Sequence, residues 1–341
     1  MESQEKPLVA LDRRETRRMS SGMIRYSREL AARLPRVAPD LAFDEISGGD
    51  NFGFDENVRL PLEILRGGAD LTHYLCLHAP VFAPRPYVVT IHDLIHLRFP
   101  QYFKKSVGPY YRTVVRFQLA RAERIITDDE RTVDDIVELL GADRRKIRVI
   151  ALGASDVFFA QHEPHHAPRP YFFYAGNHFE HKDLPTLARA WASLPSELDV
   201  DLYLTGSGDV QALRAEFARE RGGIVVLGDV GEEELARYYA GAVALVHPSL
   251  REGFGLPMLE AMAQGCCVVA CRDAVPAVIK DGVFAFAPGD AHAAATAMQR
   301  LLIDEPMRRA VGMHSRTLAE PFTWDRCAAE TAQVYREVLE D

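Results

Sequence analysis

Glu252 and Glu260 stand eight positions apart in the stretch SLREGFGLPMLEAMAQGCCVVAC (249–271), and the run GFGLP follows the first of them directly. Pro257 suits the first position of a helix, where a missing N–H costs nothing. MLEAMAQ continues that helix and Gly265 can end it. The preceding ALVHPS (244–249) reads as a strand. A strand, a glycine-bearing loop and a helix start bring the backbone N–H groups of Gly253, Phe254, Gly255 and Leu256 to the positive end of a helix dipole. That is a place for phosphate, and the glycines allow close approach. Carboxylates beside an anion site need another purpose. Glu260, one turn into the helix, suits a vicinal diol such as a ribose. Glu252, on the loop, suits sugar hydroxyls. Donors for an anion beside acceptors for hydroxyls fit a nucleotide sugar. Two acids near a helix start are also ordinary helix chemistry, and the pattern alone leaves both readings open.

A site of this kind needs strands that end at it. Short apolar runs alternate with amphipathic ones along the chain, the signature of parallel α/β sheets. The first half offers PLVALD (7–12), LTHYL (71–75), YVVTIHDL (87–94), RIIT (124–127) and IRVIAL (147–152) as strands. The second offers PYFFYAG (170–176), DLYLTGSG (201–208), GIVVLGDV (223–230), ALVHPS (244–249) and CVVAC (267–271). Between them QHEPHHAPRP (161–170) has no periodicity and reads as a linker. The expectation is two doubly wound, Rossmann-like domains, 1–160 and 168–323, facing a cleft, with the ligand at the carboxyl ends of strands. A last helix, 324–341, is expected to pack back on the first domain.

Composition narrows the function. With 40 Lys+Arg against 49 Asp+Glu the net charge is −9, which argues against a nucleic-acid partner and requires any anion to be held by local donors. No run of about 18 apolar residues is present to span a membrane. The amino-terminal MESQEKPLVALD does not read as a secretory signal. The five cysteines have no metal-site spacing and read as reduced core residues of a cytoplasmic protein.

EGFGLPMLEAMAQG resembles the Glu-x7-Glu segment of retaining glycosyltransferases of family 4, which have the GT-B fold. The likeness continues, in order, through VVTIHDLIHLRFP (88–100), KIRVIALG (146–153), ARYYAGAVALVHPS (236–249) and FTWDRCAAETAQVYREVL (322–339). It is nearest to members that transfer mannose from GDP-mannose in bacterial surface-polysaccharide assembly. The resemblance implies that Glu252 contacts the transferred sugar and Glu260 the donor's ribose. It implies that the amides of Gly253 to Leu256 hold sugar and diphosphate, that Lys182 neutralises the leaving diphosphate, and that His92 lies by the transferred sugar. His92 and Glu252 are the catalytic candidates. Asp93 is expected either to fix the tautomer of His92 or to cap the next helix. Gly22, in SSGMIRYSREL, matches a glycine loop after the first strand, although an ordinary helix-start glycine fits equally. Gly206, Asp229 and Val230 match positions that seat base and ribose.

Two departures stand out. Asn177 occupies the place of a usual diphosphate-binding arginine, so that one cation of the usual pair is either absent or replaced by His178 or His181. TDDERTVDDI (127–136) replaces a common VSEFSKRDI, with Asp128 and Asp129 off the pattern, which leaves the acceptor open. No metal or other cofactor is expected, and HEPHH (162–166), broken by proline, is a poor metal site. The basic stretch FKKSVGPYYRTVVRFQLARAER (103–124) has apolar residues Val107, Tyr110 or Tyr111, Val114 and Phe117 at helical spacing. A helix packed on the sheet explains it, and peripheral contact with the inner face of a membrane is the other reading. The acceptor is expected to be a glycan or a lipid-linked glycan. A UDP-sugar-dependent transferase, a sugar-nucleotide epimerase and a non-catalytic sugar-nucleotide-binding subunit are the alternatives.

Overall fold

The computed structural model describes residues 5–14, 19–47, 53–77, 79–206, 208 and 210–341. The chain forms two units: Met1–Gly153 with Trp324–Asp341, and Ala154–Thr323.

The first unit carries six parallel strands, β1 (Leu8–Asp12), β2 (Ala42–Ile46), β3 (Leu71–Tyr74), β4 (Tyr87–Thr90), β5 (Arg124–Thr127) and β6 (Ile147–Val149), in the order β2-β1-β3-β4-β5-β6. β3 and β4 are buried along their whole length, as near-continuous apolar runs flanked by helices should be. β2, AFDEI, is half exposed. An edge strand has one neighbour and tolerates Asp44 and Glu45, so no apolar run marks it in the sequence.

The final helix, Trp324–Glu340, packs on the first helix, Ser21–Val37. Trp324, Cys327, Ala328, Thr331, Tyr335 and Val338 form its buried stripe, with spacings of three and four that follow the helical period. Arg33 and Arg36 both pair with Asp325, and Arg336 with Asp40. Beneath these surface pairs a hydrogen-bonded chain crosses the core. The Tyr335 hydroxyl lies 2.6 Å from His73 Nδ1, His73 Nε2 lies 2.8 Å from Thr90 Oγ1, and Thr90 Oγ1 lies 3.0 Å from the Tyr26 hydroxyl. One histidine therefore joins the last helix to β3 and β4, and through Thr90 to the first helix.

The second unit has its own parallel sheet: β7 (Tyr171–Tyr174), β8 (Asp201–Thr205), β9 (Ile224–Gly228), β10 (Ala244–His247), β11 (Val268–Cys271) and β12 (Val283–Phe286), in the order β12-β11-β10-β7-β8-β9. Trp191, Phe172, Leu187, Val246 and Met298 are among the side chains of its core. β12 is a four-residue edge strand, VFAF, only partly buried, and is a strand that the sequence expectation lacks. Of the TGSGD segment, Ser207 and Asp209 lie outside the described residues. QHEPHHAPRP belongs wholly to this unit. The His165 N–H donates to the carbonyl of Arg237, and its ring lies 4.3 Å from that of Tyr238.

Burial of His73 lowers its pKa to about 3 from an ordinary 6.5. The unfolded chain takes up this proton near 6.5 while the folded one resists it. The resulting stability is full above that value and is lost as pH falls toward 3, by at most about 1.4 kcal/mol per pH unit. Thermal unfolding followed from pH 7 to pH 4 is expected to show this slope, and His73→Gln to flatten it. An unchanged slope in the variant would exclude His73 as its source.

Candidate functional site

In an open α/β sheet, ligands bind at the carboxyl ends of strands where the strand order reverses. In the second sheet that point lies between β10 and β7. Every donor-side position singled out in this half of the sequence falls at the carboxyl end of one of four adjacent strands. Glu252 to Leu256 follow β10, Lys182 follows β7, Gly206 follows β8, and Asp229 and Val230 follow β9.

The loop after β10 feeds the helix Leu256–Ala263 through Gly255, which caps it in the left-handed region at φ 85°. A Cβ there would push against the movable terminal methyl of Met258, so it is the left-handed backbone that calls for glycine. Among the described residues no side chain caps this helix. Pro257 has no N–H and the Met258 N–H donates to the carbonyl of Gly255 at 2.9 Å, so the N–H groups offered to an anion are those of Leu256 and the loop before it. Gln264 closes the helix, and Gly265 follows at φ 72°. The loop is pinned to the one after β7 by a bond of 2.9 Å from the Leu250 N–H to the carbonyl of His181.

Glu252 and Lys182 meet at this junction. Lys182 Nζ donates to Glu252 Oε1 at 2.6 Å. His247, the last residue of β10, places Nε2 at 2.8 Å from the same oxygen. Burial would raise the pKa of Glu252, but the charge of Lys182 and the hydrogen bond from His247 outweigh it and hold the carboxyl well below its usual range. The outcome is a charged acceptor with both donors on one oxygen. Glu260 lies in the second turn of the helix, 2% exposed, and accepts the Tyr239 hydroxyl at 3.1 Å.

The loop after β7 shows what stands at the arginine departure. Asn177 accepts the Tyr174 hydroxyl on its carbonyl and the Phe179 N–H on its side chain. His178 turns Nε2 onto the carbonyl of Thr205 at 2.8 Å. Gly206, at φ 81°, sits so close to the carbonyl of Gly176 that a Cβ would come within 2.1 Å. Its glycine is demanded by that crossing of loops. Asp229 is exposed and Val230 partly so. Among the described residues no three His, Cys, Asp or Glu side chains gather as a metal site.

The first unit holds the remaining candidates. His92 follows β4, and its Nδ1 lies 2.8 Å from Oδ2 of Asp128, which follows β5. Asp93 is not its partner: Asp93 Oδ1 accepts the Ile95 N–H and supports the short helix that follows. Asp128, off the family pattern, is therefore the residue that orients His92. Burial works against the imidazolium, but Asp128 and then Asp93 outweigh it and raise the pKa of His92. The Tyr26 ring packs edge-on to His92 at 4.6 Å. Gly22 lies within the first turn of the helix Ser21–Val37, whose start is capped by Ser20 Oγ accepting the Met23 N–H. It is a helix residue and not part of a loop.

The basic stretch is helical from Val107 to Arg121, but the buried stripe is Tyr111, Val115 and Leu119, not the set Val107, Val114 and Phe117. A π-helical turn at Tyr111–Val115 inserts an extra residue and rotates the faces that a 3.6-residue period assigns. Phe117 is left exposed, 6.1 Å from exposed Phe82 and beneath the guanidinium of Arg121. Arg124 is committed to Glu337 and Asp341.

Sequence reasoning passed over three side chains here: His247, Tyr239 and Asp128 as a partner. His247 left one trace, a polar ring ending an otherwise apolar strand. Comparison with known proteins agrees with this architecture. Residues 169–304 match the family model "Glycosyl transferases group 1", and residues 47–158 match "Glycosyltransferase Family 4". The chain is 28% identical to O-antigen chain mannosyltransferase B of Escherichia coli, over 73% of this chain and 70% of that one. Across three mannosyltransferase relatives it spans 52% to 70% of their own length. Among solved structures, the sucrose-phosphate synthase of Thermosynechococcus elongatus superposes with a TM-score of 0.77 at 20% identity, covering 98% of this chain and 100% of that one. Anabaena HepE, solved with UDP-glucose, gives 0.74 at 16% identity, covering 96% and 99%. With two parallel sheets, both family matches and these folds in hand, the chain belongs to the glycosyltransferases of family 4 and has the GT-B fold.

Proposed function

We propose that this glycosyltransferase is a retaining mannosyltransferase that uses GDP-mannose and acts on a glycan or lipid-linked acceptor in bacterial polysaccharide assembly. The observation that carries the reading is the junction of β10 and β7. A carboxylate kept charged by Lys182 and His247 stands beside an uncapped helix start. Sugar hydroxyls need an acceptor such as Glu252, and a departing diphosphate needs a cation and N–H groups, here Lys182 and Gly253 to Leu256. Glu260 serves the ribose, and Gly206, Asp229 and Val230 the base side. In the transfer, the bond from the anomeric carbon to the diphosphate oxygen breaks as the acceptor oxygen bonds on the same face. The acceptor's proton passes to the departing oxygen. His92, set by Asp128, orients the sugar. Charge on the diphosphate is met by these groups, with no metal called upon.

The mannosyltransferase of Escherichia coli supports mannose as the sugar. Anabaena HepE, solved with UDP-glucose, supports the alternative of a UDP-sugar. Calorimetry separates them: GDP is expected to bind at least about tenfold more tightly than UDP. Tighter UDP would move the donor to a UDP-sugar.

Glu252→Gln keeps the shape and removes the charge. It is expected to lower kcat for transfer from GDP-mannose by about 100- to 1,000-fold. A variant as active as wild type would remove Glu252 from the chemistry.

The exposed pair Phe82 and Phe117, near the cations of residues 103–124, supports peripheral contact with anionic lipid. Co-sedimentation with anionic vesicles is expected to fall on charge reversal of Lys104, Lys105 and Arg112. Unchanged co-sedimentation would leave this surface to solvent.

A further inference from the structure

His247 has no part in the anion or hydroxyl chemistry assigned above, yet its place in the fold is specific. It ends β10, a strand paired on one side with β7 and on the other with β11, where it stands opposite Ala270. Its side chain is 1% exposed. The Tyr174 ring lies nearly parallel to it, 6.2 Å away at 15°, and Tyr174 is itself fixed by its hydroxyl on the carbonyl of Asn177. The imidazole therefore has one orientation. In it, Nε2 reaches Glu252 Oε1, while Nδ1 is buried with no hydrogen-bond partner among the described residues. A buried ring nitrogen left unmatched costs free energy, so the ring is oriented by its Nε2 bond alone.

The two donors on Oε1 differ in kind. Lys182 stands on a short 3₁₀ turn, Glu180–Lys182, at the end of a long flexible side chain. Its ammonium is a point charge that can be shared with a second anion. His247 stands on a central strand and cannot follow a ligand.

We infer that His247 is the positioning residue of the transfer: its Nε2–H fixes the Glu252 carboxylate through Oε1, leaves Oε2 to accept a sugar hydroxyl, and keeps that geometry when Lys182 turns to the diphosphate. This rests on the reading of Glu252 as the sugar contact and deepens it. It divides the labour at the junction, with Lys182 answering the charge of the leaving group and His247 holding the acid that orients the sugar. Because His247 meets no ligand directly, its loss falls on the turnover step more than on nucleotide affinity.

The test uses the full chain with GDP-mannose, or with the GDP- or UDP-sugar that wild type turns over fastest. His247→Gln places an amide N–H near the position of Nε2. His247→Asn places it near Nδ1, and His247→Leu offers none. Leu and Asn are expected to lower kcat by about 10- to 150-fold, the range for a hydrogen bond to a charged group. The calorimetric Kd for the matching nucleoside diphosphate should stay within about threefold of wild type. Gln is expected to recover most of the loss. In a Glu252→Gln background, removing His247 should cost little more, because the two act as one unit. If the Leu variant does not fold, the contrast of Asn with Gln carries the same test. Equal kcat for Asn and Gln, a Kd that weakens in step with kcat, or an undiminished penalty in the Glu252→Gln background would each overturn the role of His247 while leaving the donor reading intact. No turnover by wild type with any sugar nucleotide would overturn both.

Discussion

A carboxylate taken most of the way out of water must be matched by charge and hydrogen bonds, or it will protonate. Glu252 meets that demand by drawing Lys182 from the loop after β7 and His247 from the end of β10 onto a single oxygen. The demand explains much of the local architecture. The two strands must be neighbours, which the reversal of strand order between β10 and β7 provides. The loops must stay in register, which the bond from Leu250 to His181 secures. The chain must turn sharply from the loop into a helix, which Gly255 allows.

Much of this frame is visible in the residues themselves. Strands buried on both faces announce themselves as runs such as YFFY and VVAC, and a glycine–proline helix start is a strong local signal. Most of what escapes is set by tertiary surroundings. β2 lies at a sheet edge, where burial is partial and Asp44 and Glu45 dilute the apolar signal. β12, VFAF, is an edge strand as apolar as VVAC, and its composition does not account for its being missed. The helix at 107–121 misleads because one π turn shifts its faces, and periodicity assumes a constant turn. Asp128 stands 36 residues from His92, and nothing in the local sequence distinguishes it from Asp93 as a partner. His247 could be suspected as a histidine in an apolar strand, but only the fold shows that it faces Glu252.

His92, paired with the carboxylate of Asp128, contrasts with His73, which is paired with two hydroxyls. Beside Asp128, charge on the His92 ring is favoured. Between the hydroxyls of Tyr335 and Thr90, burial dominates and the ring stays neutral. The same side chain thus serves as a charge partner near the strand ends and as a neutral crosslink in the core.

That crosslink has a consequence for the make-up of the first unit. His73 and Thr90 belong to the early part of the chain, while their partner Tyr335 and the buried Trp324 come only after the whole second unit. The first unit is therefore built from two stretches of chain separated by the whole second unit, and its core is complete only when both are present.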